Sequence, residues 1–374
     1  MNTMEQKKVL FFIYQMGKGG AARTLLNIMN NLDRQKFKPI LVTLNYNGEY
    51  EQYVKDDIQF IKLKQKRLRN AIFPLAKVIR NVQADIVFST IPNYNTIAIL
   101  ANKFSFSKAK SIVREADNLG GSRLVDLKLR LYGMLYRTTD QVVSLSEGVK
   151  ENLVKKYKVK RENIEVIYNP IDLKHIEQEI NSGKLPKEHE QIFQKGEPVV
   201  ITAGRLVKQK DHFTLIKAFA ETNKKVPSQL VILGEGPLKD ELMQLSQTLN
   251  VNERVHFLGF QDNPYIYFHK ANLFVLTSIH EGFSHVIAEA LACGTPVVST
   301  DCKSGPSEVL DKGKYGMLCE VGNVDEISTG MLQTLTLNQN ELEKIQQLGI
   351  KRATYFNADK IVQQYEDLFI NTLN

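Results

Sequence analysis

The chain has 374 residues, 43% of them hydrophobic and 24% charged, and contains no Trp. That length fits two domains, and the composition excludes a disordered or fibrous chain. The net charge of +8 is unevenly spread: up to Lys187 there are 32 Lys and Arg against 18 Asp and Glu, and from Glu188 onward 17 against 23. A basic first half is expected either to meet an anionic partner (nucleic acid, membrane surface or phosphorylated substrate) or to be no more than a basic solvated surface. Residues 1–8 are polar and lead straight into a strand-like run, without the apolar stretch of a signal peptide. No segment approaches the roughly 20 apolar residues of a spanning helix. Cys293, Cys302 and Cys319 form no CxxC, which excludes a disulfide scaffold or zinc ribbon and fits a reducing, cytoplasmic setting.

In chain order, short β-rich runs at 9–14, 39–44, 85–89, 110–113, 141–144 and 164–167 alternate with amphipathic stretches such as 23–32. A second series follows at 199–203, 230–233, 255–258, 273–276, 296–299 and 317–319, with helical patterns at 212–220 and 238–249. Strand–helix alternation implies parallel sheets wound by right-handed crossovers. Two series of about six strands predict an α/β chain of two doubly wound domains. The stretch 174–198 contains Asn181, Ser182, Gly183, Pro186 and Pro198 among charged residues, and reads as the linker. The expected division is 1–180, 181–355, and a terminal segment 356–374 packing back on the first domain. Its helical pattern places Ile361, Tyr365, Leu368 and Phe369 on one face.

Residues 280–296 read HEGFSHVIAEALACGTP. Gly282 and Ser284 open a predicted helix, Glu289 lies within it, and Gly294 ends it. A helix start offers free backbone N–H groups to a phosphate or a sugar hydroxyl. A carboxylate one or two turns further on suits a ribose diol, although two glutamates on a polar face are unremarkable alone. Gly204 and Arg205 follow the strand at 199–203, with Lys210 five residues after Arg205. Two cations there can neutralise a diphosphate, or be a solvated loop. Gly234 and Gly236 form a weak GxG turn, and Gly17, Lys18, Gly19 and Gly20 form a loop with neither the dinucleotide nor the P-loop spacing.

Taken together, these pieces resemble the retaining glycosyltransferases of family four, which have the GT-B architecture of two doubly wound domains facing a cleft. The resemblance rests on Gly19-Gly20-Ala21-x-Arg23, Ser144-x-Ser146-Glu147, Asn169-Pro170, Gly204-Arg205, Gly259-Phe260, Ser278-x2-Glu281-Gly282-Phe283, Glu289-Ala290-x2-Cys293-Gly294-Thr295-Pro296 and Ser304-Gly305-Pro306-x-Glu308. It covers nearly the whole chain, and the last stretch is similar to the subset acting on polysaccharide and lipid-linked precursors. The resemblance implies catalytic roles for Glu281, Arg205 and Lys210. It implies donor binding by Glu289, Gly282, Phe283, Ser284, Gly204, Gly234 and Phe260. Gly19, Gly20, Glu115, Asp117 and Asn118 fall on the acceptor side. The implied donor is a nucleotide sugar, UDP-linked by the family's preference; the acceptor is a glycan or polyprenyl-linked precursor.

Three positions depart from the family pattern. Ala22 stands in place of a common Glu, Asp211 in place of a usual Gly, and Ser284 where Gly is frequent. Many members carry a His where this chain reads Arg114-Glu115-Ala116-Asp117-Asn118, so Glu115 or Asp117 is left either to assist the acceptor hydroxyl or to cap its loop. No metal and no further cofactor are expected, because the basic residues of the second half take the diphosphate charge. A sugar-nucleotide epimerase and a non-catalytic partner subunit are the alternatives. Nucleic acid is not an expected partner, since no known binding motif appears.

The stretch 123–137 sets Leu124, Leu127, Leu131, Met134 and Leu135 on one helical face, with Arg123, Arg130 and Arg137 beside them. Lys62, Lys64, Lys66, Arg67 and Arg69 make a second basic run. A basic amphipathic helix fits a membrane interface. It also fits a core helix with a charged edge, to which Leu129, Tyr132 and Tyr136 would contribute. Peripheral attachment to an anionic cytoplasmic leaflet is the expectation.

Overall fold

The computed structural model describes residues 6–17, 19–120 and 122–374. Lys18 of the first glycine-rich loop and residues 1–5 of the polar N-terminus therefore lie outside the described residues. The chain divides into two units, Met1–Pro170 with Ala358–Asn374, and Ile171–Asn357.

The first unit is built on strands β1 (Lys7–Phe12), β2 (Phe37–Thr43), β3 (Gln59–Lys62), β4 (Ile86–Thr90), β5 (Lys110–Glu115), β6 (Gln141–Ser144) and β7 (Ile164–Val166), in the sheet order β3-β2-β1-β4-β5-β6-β7. The pairings are parallel, for example Val9 against Phe37's strand on one side and against Ile86 on the other. Successive side chains of a strand point to opposite faces. Val9 and Phe11 accordingly pack with the helices Gly20–Asn31 and Ala358–Leu373, whereas Leu10 and Phe12 pack with Ile72–Val82 and Pro92–Ser105. A strand covered on both faces reads as one continuous apolar run, which is why the sequence shows VLFF rather than alternation. Phe369 of the terminal helix lies 6.4, 5.8 and 5.9 Å from the ring centroids of Phe11, Phe37 and Phe88. Full burial of such a ring contributes about 1.5–3 kcal/mol.

Two expectations need correction. The first sheet has seven strands, because β3 escapes the pattern: Gln59 is exposed and Phe60, Ile61 and Lys62 are only half-buried at the sheet edge. Residues 174–198 are not a structureless linker. Leu173–Ser182 and Lys187–Phe193 are helices that bury Ile176 and Ile192, and the first unit ends earlier, at Pro170. Each of these helices buries a single apolar residue, so sequence periodicity barely registers them.

The second unit holds β8 (Val199–Ala203), β9 (Gln229–Leu233), β10 (Val255–Gly259), β11 (Leu273–Leu276), β12 (Val297–Thr300) and β13 (Met317–Cys319), in the order β10-β9-β8-β11-β12-β13. Val200, Leu230, Ile232, Leu273 and Val298 pack one face against the helices His212–Asn223 and Val324–Leu335. In each sheet the winding reverses beside the first strand, between β1 and β4 and between β8 and β11. Ligands of open α/β sheets bind at such reversals, outside the carboxyl ends of the strands.

Candidate active site

Gly204 and Arg205 leave the end of β8, and Thr277 and Ser278 leave the end of its neighbour β11. The loops meet in an ion pair: Lys210 Nζ lies 2.5 Å from Glu281 Oε1, which also accepts from Ser278 Oγ at 2.7 Å. The two side chains are only 15% and 9% exposed, so water screens the pair weakly. Its surroundings fix it. Thr277 Oγ1 donates to the carbonyls of Lys210 and Asp211 at 3.0 and 2.9 Å. Thr300 Oγ1 donates to Ser278 O at 2.7 Å, and Ser304 Oγ to Glu281 O at 2.8 Å. The Lys210 stem runs past Gly204, where an added Cβ would stand 3.3 Å from Lys210 Cε.

Gly234 explains itself by close approach. Its φ is +137°, and a Cβ there would come within 2.0 Å of Gly204 O. The GxG turn thus lies backbone to backbone on the Arg205 loop, with Leu206 N–H donating to Glu235 O at 2.9 Å. Arg205 itself is exposed. Phe260 is half-buried just after β10, at the edge of the sheet.

Ser284 starts the helix His285–Ala292 at φ +69°; it is buried, and its hydroxyl has no hydrogen-bond partner among the described residues. Asp211, at φ +45°, caps the helix His212–Asn223 by accepting from Thr214 N–H and Oγ1. Both departures from the family's glycines therefore occupy left-handed backbone, where glycine is free of strain. Gly282, Phe283 and Glu289 are buried, and Tyr265 Oη donates to Glu289 Oε1 at 3.4 Å. The Cys302 thiol is pushed up to about 12 by burial and then by the neighbouring Glu281, so it is an inert thiol rather than a nucleophile.

In the first unit, Gly19 is the extended N-cap and Gly20 the first residue of the helix Gly20–Asn31, and Ala22 is buried inside it. Asp117 and Asn118 are half-buried in the loop after β5; Asn118 Nδ2 donates to Gly148 O at 3.3 Å and its Oδ1 accepts from Asn152 at 2.8 Å. Glu115 requires a correction. Its side chain points into the interior and is fully buried, hydrogen-bonded to Tyr136 and, at 3.1 and 3.3 Å, to Asn95 and Tyr157. Burial pushes its carboxyl up to about 8, against the lowering effect of those donors and of Arg114. Arg114, equally buried, bonds Asn169, Thr90 at 3.0 Å and Tyr365 at 3.2 Å, fixing the terminal helix to β5. Among the described residues, no group of three or more His, Cys, Asp or Glu is placed to hold a metal ion.

Lys210 and Glu281 stand 71 residues apart, and nothing local in the sequence pairs them or marks Ser278 and Ser304 as their hydrogen-bond partners. The one available signal was the fixed Ser278-x2-Glu281 spacing.

Two doubly wound parallel-sheet units in one chain are the GT-B architecture. A family model described as Glycosyltransferase Family 4 matches residues 18–175, and one described as Glycosyl transferases group 1 matches residues 186–352. The N-acetylgalactosamine-N,N'-diacetylbacillosaminyl-diphospho-undecaprenol 4-alpha-N-acetylgalactosaminyltransferase of Campylobacter jejuni is 34% identical over 96% of this chain and 98% of its own. A second Campylobacter jejuni enzyme, an alpha-1,4-N-acetyl-D-galactosaminyltransferase acting on a diNAcBac-PP-undecaprenol glycan, is 26% identical over 90% of each chain. The crystal structure of Anabaena HepE in complex with UDP superposes with a TM-score of 0.82 over 97% of this chain and 100% of that one, at 22% identity, and so shares the fold. The chain belongs to glycosyltransferase family 4, and it is a glycosyltransferase.

Proposed function

We propose that this enzyme moves a sugar, with retention of anomeric configuration, from a UDP-sugar to a lipid-linked glycan in the building of a cell-surface polysaccharide or glycoconjugate. The observation that carries the donor half is the shielded Lys210–Glu281 pair at the strand reversal, beside exposed Arg205 and the unpaired Ser284 hydroxyl. In this reading Arg205 and Lys210 hold the diphosphate. The bond from the anomeric carbon to the diphosphate oxygen breaks, its electron pair leaves on that oxygen, and the two cations stabilise the charge without a metal. The acceptor hydroxyl bonds the same carbon and gives its proton to the departing diphosphate oxygen. Glu281, with the backbone of Gly282 and Phe283, orients the sugar, and Glu289 takes the ribose hydroxyls. The lipid-linked acceptor rests on the Campylobacter relatives, whose names specify undecaprenyl diphosphate glycans.

A thermal-shift panel of nucleotide sugars tests the donor, because a ligand of the native state raises the melting point as RT ln(1 + [L]/Kd). UDP-sugars should shift it and GDP-sugars should not. Glu289→Gln should weaken the UDP-sugar by about 1.5–3 kcal/mol, the worth of hydrogen bonds to a charged group. Turnover should survive EDTA, and a UDP product formed only when acceptor is present separates transfer from epimerisation.

The same reading places the enzyme on a membrane surface. No helix among the described residues is long and apolar enough to cross a bilayer. The helix Arg123–Tyr136 buries Leu129, Gly133 and Tyr136, while Leu124, Leu127, Leu131 and Met134 on its other side are 82%, 57%, 52% and 54% exposed. Such a leucine row flanked by Arg123, Arg130 and Arg137 supports an interfacial anchor, each nearby cation adding about 1 kcal/mol on anionic lipid. Binding to anionic vesicles should fall with salt and weaken when the three arginines become Ser together, with UDP-sugar affinity unchanged. Equal binding to neutral vesicles would remove the electrostatic anchor.

A further inference from the structure

The first unit has its own strand reversal, between β1 and β4, and a cavity of about 560 Å³ opens there. Tyr14 enters it from the segment after β1, Asn93 and Thr96 from the segment after β4, and Lys66, Arg67 and Arg69 from the segment after β3. The basic segment is anchored by its backbone rather than by its charges. Lys66 O accepts from Tyr46 Oη at 2.9 Å and from Tyr14 Oη at 3.4 Å, and Gln65 O accepts from Asn45 N–H at 3.2 Å. Lys66, Arg67 and Arg69 are exposed, and no carboxylate among the described residues forms an ion pair with any of them. Three unneutralised cations on a fixed backbone concentrate positive charge at the opening.

Three further features point the same way. The helix Pro92–Ser105 begins at this cavity with Pro at its first turn and without a side-chain cap, so the positive end of its dipole faces the opening. Its N-cap, Ile91, has φ +76°, a costly conformation for a β-branched residue and one that concentrates at functional sites. Tyr132 closes another wall: its hydroxyl donates to Asn93 Oδ1 at 2.5 Å, and Lys128 Nζ lies 5.4 Å from its ring centroid.

Tyr132 also fixes the depth of the cavity. It belongs to the helix Arg123–Tyr136, on the flank between the buried side and the exposed leucine row. A helix is only about 10–12 Å across with its side chains. With the leucine row in the acyl boundary, the cavity wall formed by Tyr132 comes to the level of lipid phosphates. Leu68 and Ile97 add an apolar edge.

We infer that the cavity lined by Lys66, Arg67, Arg69, Tyr14, Asn93 and Tyr132 binds the diphosphate of the lipid-linked acceptor. This rests on the lipid-linked reading of the acceptor given above. A lipid diphosphate brings two negative charges on a hinge of one oxygen, which three cations from one short segment can surround. A bulk phospholipid headgroup or the donor's own diphosphate carries related chemistry, and the test separates them.

The probe is farnesyl diphosphate, titrated calorimetrically into the full-length protein, with UDP and phosphatidylglycerol vesicles in parallel. The variant Lys66→Ser/Arg67→Ser/Arg69→Ser alters exposed side chains only, and an unchanged circular-dichroism spectrum and melting temperature confirm its fold. Its Kd for farnesyl diphosphate should rise at least about tenfold, with vesicle binding changed far less. Arg123→Ser/Arg130→Ser/Arg137→Ser should show the opposite pattern. In turnover, the KM for lipid acceptor should rise in the first variant while the KM for donor holds. Equal farnesyl diphosphate affinity in the variant and the unaltered protein overturns the site but leaves the lipid-linked reading standing. Loss of vesicle binding in step with diphosphate binding makes the cluster a general headgroup patch and overturns it too, as does an equal loss of UDP. An unaltered protein that binds no farnesyl diphosphate yet glycosylates a soluble acceptor overturns the lipid-linked reading itself.

Discussion

Lys210→Ala should lower kcat/KM by about 10²-fold or more, the cost of removing one preorganised charge donor from a developing anion. Arg205→Ala should cost a similar factor. The two differ in what else they disturb. Arg205 is exposed, so its removal should leave the melting temperature nearly unchanged. Lys210 is paired with Glu281 at 2.5 Å, and stripping one partner from a shielded pair costs about 3–5 kcal/mol. A double-mutant cycle with Glu281→Gln separates the contributions. If Lys210 serves only to neutralise Glu281, the Lys210→Ala loss in kcat/KM should vanish once residue 281 is an amide. If Lys210 acts on the donor diphosphate, the loss in stability should shrink in that background while the loss in turnover persists. Full activity in either single alanine variant removes that residue from the clamp.

The legible parts of this chain were those where one local rule decides the outcome. Strands other than the edge strand β3 were visible, most clearly where both sheet faces are covered and runs such as VLFF and VVITA stand out. The terminal helix was visible because Ile361, Tyr365, Leu368 and Phe369 recur at helical spacing, and all four are buried. Illegible parts depended on contacts far apart in sequence. Nothing local joins Lys210 to Glu281, or Lys66 O to Tyr14 and Tyr46. The helix Arg123–Tyr136 shows the limit from the other side: two apolar faces were readable in it, but the side that meets protein is chosen by Gly133, which packs on the backbone of Tyr157 so closely that a Cβ would come 1.7 Å from its oxygen. Glu115 misled because a carboxylate just after a strand looks like a loop residue. It is instead the last residue of β5, a strand covered on both faces, so it is buried whichever face it points to.

Glu115→Gln should therefore change how stability depends on pH while leaving turnover nearly intact. The carboxyl sits at about 8 in the folded protein against an ordinary value of 4.5. Between those two pH values the native state holds a proton that the unfolded chain has released. The stability Glu115 contributes is thus complete below about pH 4.5 and declines by roughly 1.4 kcal/mol per pH unit as pH rises towards 8. An amide keeps the shape and the hydrogen-bond capacity of the neutral acid for Tyr136, Tyr157 and Asn95 but does not titrate. Urea denaturation of both proteins from pH 5 to 8 should show the stability difference moving in favour of the variant by about 4 kcal/mol; parallel curves would mean that the carboxyl is ionised throughout. Turnover supplies the independent arm. A general base lost from the acceptor side would cost about 10²–10⁴-fold, whereas a buried strut replaced by its neutral isostere costs little. A large loss of kcat with an unchanged pH–stability profile would return Glu115 to the acceptor chemistry. The expected pair of results, a flattened profile and retained kcat, would take Glu115 out of the acceptor chemistry.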